Sequence, residues 1–269
     1  MPINPHQIKH NQGLLVFLLY KIRVLFAWVS DINLTPDCNK NYIFVVGCGH
    51  SGTTLLAARL GNHDQIHVIP KETGWFLPKR SLRMAKIKME LEMSLARKSG
   101  KKILLEKSPK HVHCIQRILQ VYPHAKIVIV SRNSYDAIAS LRKRFNFELA
   151  VQRWLIDTRP SISLMSNENC FFVKYEDITM KSADTFSKLL KFLELNENDA
   201  VYRGVANAYS SQHFDANSNM LIRQQQVSRP ITPRVKVFKN ELTDEEITNV
   251  TLRCKLRMKE LGYEIQDYL

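Results

Sequence analysis

The segment YIFVVGCGHSGTTLL, residues 42–56, joins an apolar run to a hydroxyl-rich run through a glycine turn. Its first five residues are aromatic or β-branched and carry no charge, which predicts a buried parallel strand. The next six, GCGHSG, include three glycines, and glycine adopts positive φ at little cost. A helix is expected to begin at Thr53. Such a strand, turn and helix N-terminus direct unpaired backbone N–H groups and the positive end of a helix dipole at an anion.

The spacing of this turn nearly matches the phosphate-binding pattern G-x-x-x-x-G-K-[ST]. Gly47 and Gly52 occupy the two glycine positions, but Thr53 stands where the pattern has lysine. That lysine reaches the β- and γ-phosphates in P-loop nucleotidases, so its absence disfavours triphosphate chemistry. A shorter anion suits the turn better, and the alternative is a glycine turn without a ligand. The expected hydroxyl donors are Ser51, Thr53 and Thr54.

The composition describes a globular protein with a strongly basic balance. The chain has 269 residues, which fits one large α/β domain, and its formal net charge is +14. This charge predicts anionic partners, and the alternative is a basic surface that serves solubility. The five cysteines are scattered without a C-x-x-C pair, so neither a zinc site nor a disulfide framework is indicated, and a reduced compartment is expected.

The N-terminal segment 13–30, GLLVFLLYKIRVLFAWVS, is apolar but interrupted by Lys21 and Arg23. Its longest uncharged run is too short to span a bilayer. Two interpretations stay open: a helix that makes peripheral membrane contact, or a helix packed on the following domain or a partner. We expect residues 1–40 to be a separate helix and linker and residues 41–269 to be the catalytic domain. A cytoplasmic location, with or without membrane association, is favoured over a Golgi-type signal anchor.

Apolar strand patterns alternate with helical patterns along the rest of the chain. Strands are predicted at 42–46, 66–69, 103–105, 126–130 and 170–173. Helices are predicted at 53–60, 79–98, 109–121, 147–165, 183–194 and 243–261, with another after Arg132. This alternation predicts an α/β fold with a central, mostly parallel sheet flanked by helices and a site at the strand C-termini.

Two segments together resemble the nucleotide motifs of the sulfotransferase superfamily, GCGHSGTTLL at 47–56 and SRNSYDAIAS at 131–140. These enzymes use 3′-phosphoadenosine 5′-phosphosulfate (PAPS). The first segment resembles their 5′-phosphosulfate loop. The second resembles their 3′-phosphate site, with Arg132 at a strand end and Ser140 eight residues later. Similar segments follow in order at 105–111 (LEKSPKH), 173–178 (VKYEDI) and 238–243 (FKNELT).

The resemblance implies a fold related to P-loop kinases, no metal requirement, and transfer of a sulfuryl group to a hydroxyl or amine. The acceptor would be a glycan, a peptide or a small metabolite, and the motif style is closest to the tyrosylprotein and carbohydrate sulfotransferases. The implied PAPS-binding residues are Gly49, His50, Ser51, Gly52, Thr53, Thr54, Arg132 and Ser140. The alternative enzyme is a P-loop kinase-like, ATP-dependent phosphotransferase. Nucleic-acid binding is disfavoured because the charges are dispersed along the chain.

The resemblance also implies catalytic roles. Glu72 follows the loop helix by about the distance at which the tyrosylprotein and related carbohydrate enzymes keep a catalytic glutamate, so it is the expected base. Lys107 resembles a lysine that assists the transferring group in tyrosylprotein sulfotransferases. His50 stands where the family has arginine or lysine, so either His50 as imidazolium or Lys107 supplies the charge. Cytosolic sulfotransferases use a histidine as base, which makes His111 and His113 alternatives.

Overall fold

The computed structural model describes Ile22, residues 41–202 and residues 233–268. The predictions for 1–40, apart from Ile22, therefore lie outside the described residues. Within the described ranges, no helix is both long and apolar enough to cross a membrane.

One five-stranded parallel sheet forms the centre of the domain. Its strands are β1 (Tyr42–Gly47), β2 (Ile66–Val68), β3 (Ile103–Lys107), β4 (Lys126–Ser131) and β5 (Cys170–Lys174). In space their order is β2-β3-β1-β4-β5, so β1 lies in the middle and pairs with β3 and β4. The predicted α/β fold with a parallel sheet is confirmed.

Helices cover both faces of this sheet. They are α1 (Thr53–Leu60), α2 (Leu82–Lys98), α3 (Ile115–Val121), α4 (Ser134–Leu141), α5 (Phe147–Ser163), α6 (Tyr175–Met180), α7 (Ser182–Phe192) and α8 (Asp244–Glu260). Side chains of β1 alternate between two apolar clusters, with Ile43 and Val45 in one and Phe44 and Val46 in the other. Burial on both faces explains why this strand carries no charge.

Two predicted helix starts differ from the structure by more than two residues. The helix expected at 79–98 begins at Leu82, because Lys79 has a φ of 66° and the Ser81 hydroxyl accepts the Met84 amide as an N-cap. The segment expected as one helix at 109–121 opens as a 3₁₀ helix, Pro109–Cys114, before α3. The short helix α6, which begins at Tyr175, was not predicted from the sequence.

Candidate active site

The turn between β1 and α1 is held tightly against its neighbours. A Cβ atom on Gly47 would lie 2.2 Å from the Val130 carbonyl oxygen, and one on Gly52 would lie 2.5 Å from the Tyr175 ring. Both glycines have positive φ, at 144° and 95°. His50, which is not a glycine, also has a positive φ, of 66°. The turn is therefore a fixed, strained structure.

Ser51 stabilises the turn from within. Its hydroxyl is buried and lies 2.6 Å from the Cys48 carbonyl oxygen and 3.0 Å from that of Val130. The hydrogen-bond partners of the Ser51 hydroxyl are therefore two backbone carbonyl groups of the fold itself. The backbone amides of Thr53 and Thr54 donate to no acceptor among the described residues, as expected for the first turn of a helix. These amides and the α1 dipole suit an anion.

Arg132 lies directly beside this turn, at the end of β4. Its Nη1 is 3.4 Å from the His50 carbonyl oxygen, and its Nη2 donates to the Arg234 carbonyl oxygen. The guanidinium stacks 4.4 Å over the Tyr175 ring. Arg132 is buried, and its Nε lacks a hydrogen-bond partner in the part of the chain that the structure describes. An unpaired buried donor of this kind suits an anionic ligand.

Ser140 completes this end of the site. Its Oγ lies 2.9 Å from the Nδ1 atom of His50, although the two residues belong to different sequence motifs. The structure therefore brings together three predicted nucleotide-site residues, Arg132, Ser140 and His50.

A C-terminal segment that the sequence interpretation missed also reaches this point. Asp136, on α4, accepts the backbone amide of Lys236 at 2.9 Å and that of Phe238 at 3.1 Å. Arg234 meets Arg132 through its carbonyl oxygen and Tyr175 through its amide. Because the segment is held through its backbone atoms, no pattern of side chains in the sequence signals these contacts.

The predicted base and the predicted lysine form an ion pair. Lys107 ends β3 next to β1, and its Nζ lies 2.8 Å from the Glu72 Oε1. The Lys107 side chain is only 3% exposed, whereas that of Glu72 is 39% exposed. Glu72 is thus accessible to an incoming group while the cation beneath it is largely shielded from water.

A buried carboxylate, Glu106, positions the segment that carries Glu72. It accepts hydrogen bonds from the Thr73 amide and hydroxyl at 3.3 and 2.8 Å and from the Ser108 hydroxyl at 2.6 Å. The Nδ1 of His111 lies 3.0 Å from its other oxygen. Burial alone raises the pKa of Glu106, but the neighbouring imidazole and the hydrogen bonds lower it below its ordinary value. Sequence reasoning gave this residue no role.

The two histidines considered as alternative bases are both engaged elsewhere. His111 is fully buried, and its Nε2 accepts the Phe76 amide at 3.3 Å while its Nδ1 faces Glu106. Neither nitrogen is therefore open to an acceptor. His113 is one-third exposed and contacts the Asp157 Oδ1 at 2.8 Å through its Nε2. These contacts favour Glu72 over both histidines.

Cys48 lies inside the turn, in surroundings that disfavour its thiolate form. Its side chain is buried, and burial raises the pKa of the thiol well above its ordinary value. The four cysteines in the described ranges are free thiols. In those same ranges, no group of three or more His, Cys, Asp or Glu residues is arranged to hold a metal ion.

Comparisons with known proteins find sulfotransferases among the proteins that this chain resembles. A profile of the sulfotransferase family matches residues 81–199. The protein-tyrosine sulfotransferase of Drosophila melanogaster is 25% identical over 215 residues, a match that covers 62% of this chain and 42% of that protein. This chain therefore spans less than half the length of that relative.

Solved structures show the same fold. The sulfotransferase domain of the Synechococcus PCC 7002 olefin synthase has a TM-score of 0.61 at 19% identity, covering 84% of this chain and 96% of that domain. A mouse sulfotransferase complexed with PAP has a TM-score of 0.50 at 14% identity, covering 82% of this chain and 84% of that one. The fold and the family profile both indicate a sulfotransferase. The glycine turn and the Arg132 motif, which lie next to each other, resemble sulfotransferase motifs as well. The chain is thus similar to the sulfotransferase family over residues 81–199 and shares the fold of solved sulfotransferases.

Proposed function

We propose that this protein transfers a sulfuryl group from PAPS to a hydroxyl or amine of a glycan, a peptide or a small metabolite. The observation that carries the proposal is the 3.4 Å contact between Arg132 Nη1 and the His50 carbonyl oxygen. It joins the two motifs that resemble the phosphosulfate loop and the 3′-phosphate site. The mouse sulfotransferase with this fold was solved with adenosine 3′,5′-bisphosphate (PAP), which supports a nucleotide at this position.

The residues present fit a ligand with an anionic group at each end. The amides of Gly52, Thr53 and Thr54 and the dipole of α1 suit the 5′-phosphosulfate. Arg132 offers a forked donor to the 3′-phosphate, with its buried Nε still to be satisfied. The Ser140 Oγ contacts the His50 ring, and His50 belongs to the phosphosulfate loop. When bound, PAPS supplies the electrophilic sulfur.

Glu72 is proposed to be the base that takes the proton of the acceptor. Its carboxylate is partly exposed, so an acceptor hydroxyl can approach it. The buried Glu106 holds the adjacent Thr73 through both its amide and its hydroxyl, which limits the orientations open to the Glu72 segment. A fixed base needs less reorganisation when the acceptor attacks.

Lys107 is proposed to place positive charge where negative charge develops on the leaving group. Its ammonium is shielded from water, and a charge acts more strongly on a reacting atom in such surroundings. The 2.8 Å contact between Lys107 and Glu72 puts the base and the cation at one point of the site. His50 contributes its main chain and its contact with Ser140.

The test uses the full chain. Calorimetry measures PAP binding, and labelled PAPS with a panel of hydroxyl and amine acceptors measures transfer. We expect PAP to bind with micromolar affinity or better and label to pass to at least one acceptor class. Tight binding of ATP with magnesium and none of PAP would instead indicate a phosphotransferase. Steeply salt-dependent binding of nucleic acid without nucleotide preference would indicate a binding module.

The division of the chain is a separate proposal. We infer that residues 41–269 form the sulfotransferase domain and that residues 13–30, with Lys21, Arg23 and Trp28, either make peripheral membrane contact or pack on this domain or a partner. Flotation of the full chain with anionic vesicles, compared with a chain lacking residues 1–40, tests the second part. Equal flotation of both proteins would show that the N-terminal segment is not the membrane contact.

A further inference from the structure

The loop of this protein lacks the cation that its family keeps there. His50 stands at the position where the resemblance places arginine or lysine. Its Nδ1 contacts Ser140 on α4, so this edge of the ring is turned toward the Arg132 end of the site. A neutral imidazole is also a weaker electrostatic partner than a guanidinium. Histidine does not carry the permanent charge of arginine or lysine, so a second cation beside the loop would add to the charge that Lys107 supplies.

Arg153 belongs to α5, and its side chain extends to the turn after β1. Its Nη2 lies 3.9 Å from the position that a Cβ atom would take on Gly49, the residue before His50. The side chain is 28% exposed. Its terminal amino groups donate no hydrogen bond to the residues in the described ranges. A guanidinium therefore lies against the turn with donors to spare.

Asp157 holds Arg153 in this position and is itself held by His113. Asp157, one helical turn later, accepts its Nε–H at 2.6 Å and contacts the His113 Nε2 at 2.8 Å. Asp157 is only 5% exposed. Burial alone raises the pKa of Asp157, but its hydrogen bonds to these two partners lower it, so the carboxylate stays charged. An arginine anchored through one nitrogen keeps its remaining donors fixed in direction.

We propose that Arg153 supplies, from α5, the positive charge at the phosphosulfate loop that the family places at the position of His50. The inference deepens the proposed function and rests on it. Sulfuryl transfer breaks the bond between sulfur and the bridging oxygen of the donor and leaves the electron pair on that oxygen. A new bond joins sulfur to the acceptor oxygen, whose proton passes to Glu72. Arg153 stabilises the charge left on the donor phosphate.

The matched variants are Arg153→Met and Arg159→Met, which remove the same charge from the same helix. Arg159 is exposed and has no side-chain partner among the described residues. We expect Arg153→Met to lower kcat by about tenfold to a hundredfold and to weaken PAP binding by about threefold to tenfold. Arg159→Met is expected to stay within about twofold of the wild type in both.

The decisive variant is the double change His50→Arg with Arg153→Met, because it returns the charge to the family's position. We expect the kcat of the double variant to be at least about tenfold higher than that of Arg153→Met. His50→Arg alone is expected to raise the kcat of the wild type by a smaller factor. A merely structural role for Arg153 predicts no such rescue. Should Arg153→Met fail to fold, Arg153→Gln retains a donor for Asp157 and removes the charge.

Three results would overturn the inference. One is an Arg153→Met kcat equal to that of Arg159→Met. Another is the same gain from His50→Arg in both backgrounds, and the third is a loss confined to the KM of the acceptor. A wild-type protein that neither binds PAP nor transfers label overturns the proposed function itself, and that outcome is distinct because it is seen before any variant is made.

Discussion

The Nδ1 atom of His50 lies 2.9 Å from the Oγ atom of Ser140. His50 belongs to the turn after β1, and Ser140 belongs to the helix after β4, 90 positions later in the chain. Because β1 and β4 are neighbours in a parallel sheet, both motifs emerge at the same edge. One hydrogen bond therefore couples the two expected anion sites, and a change at either end is expected to affect the other.

Removal of the Arg132 side chain is expected to weaken PAP binding by about a hundredfold, because the 3′-phosphate loses a forked, charged donor. Arg132→Lys keeps the charge but loses the fork and the stacking on Tyr175, so it recovers only part of the affinity. Calorimetry with PAP measures both variants. The matched control is Lys191→Ala, which removes an exposed charge from α7. Unchanged PAP affinity in Arg132→Ala would contradict the assignment of the 3′-phosphate site.

Replacement of Glu72 by glutamine is expected to leave PAP affinity within about twofold and to lower kcat by about a hundredfold or more, because the amide cannot take the acceptor proton. The glutamine amide oxygen can still accept the hydrogen bond from Lys107 Nζ, so the variant keeps this contact while it loses the proton acceptor. Binding and turnover are measured on the same preparations. Glu168→Gln, an exposed carboxylate with no role in the site, is the control. Parallel losses of binding and turnover would show that Glu72 supports the nucleotide instead.

The sequence predicted the elements whose signals are local. The uncharged run before Gly47, the glycine spacing, and the arginine at the end of 126–130 each lie within a few residues, so periodicity and turn chemistry suffice to place them. The strands came out close to their observed bounds for this reason. The helix start at Leu82 was missed because neither the Ser81 N-cap nor the positive φ of Lys79 was recognised within a continuous helical pattern.

The sequence did not predict the residues whose roles depend on distant partners. Glu106 matters because it holds Thr73, 33 positions away, and Asp136 because it holds Lys236, 100 positions away. A buried carboxylate at the end of a strand and a solvated one have the same sequence signature. To distinguish a buried carboxylate from a solvated one, it is necessary to know which backbone amides the fold brings within hydrogen-bonding distance of it.

Replacement of Glu106 by glutamine is expected to lower the free energy of unfolding at pH 7 by about 1–3 kcal/mol, because a buried, fully hydrogen-bonded carboxylate is lost. The pKa of Glu106 is lowered in the folded state, so its contribution is present above the ordinary carboxyl value of 4.5. That contribution is lost as the pH falls through the lowered value. Urea unfolding between neutral and acidic pH measures the difference between variant and wild type.

The difference between wild type and Glu106→Gln is therefore expected to shrink below the ordinary carboxyl pKa and to be constant above it. Glu168→Gln, whose carboxylate is exposed, is expected to differ little from the wild type at any pH. A Glu106→Gln defect of the same size across the whole acid range would show that the residue acts through its shape and not through its charge.

Alanine at Gly52 is expected to destabilise the fold more than alanine at Gly100, although both glycines have positive φ, of 95° and 76°. A Cβ on Gly100 would meet no atom within 4 Å, so that variant isolates the backbone cost of about 1–2 kcal/mol. A Cβ on Gly52 would also displace the Tyr175 ring, on which Arg132 stacks. Gly52→Ala should therefore lose PAP affinity as well as stability, as measured by calorimetry and urea unfolding. Equal stability losses with intact PAP affinity would mean that the Tyr175 ring is free to move and does not set the position of Arg132.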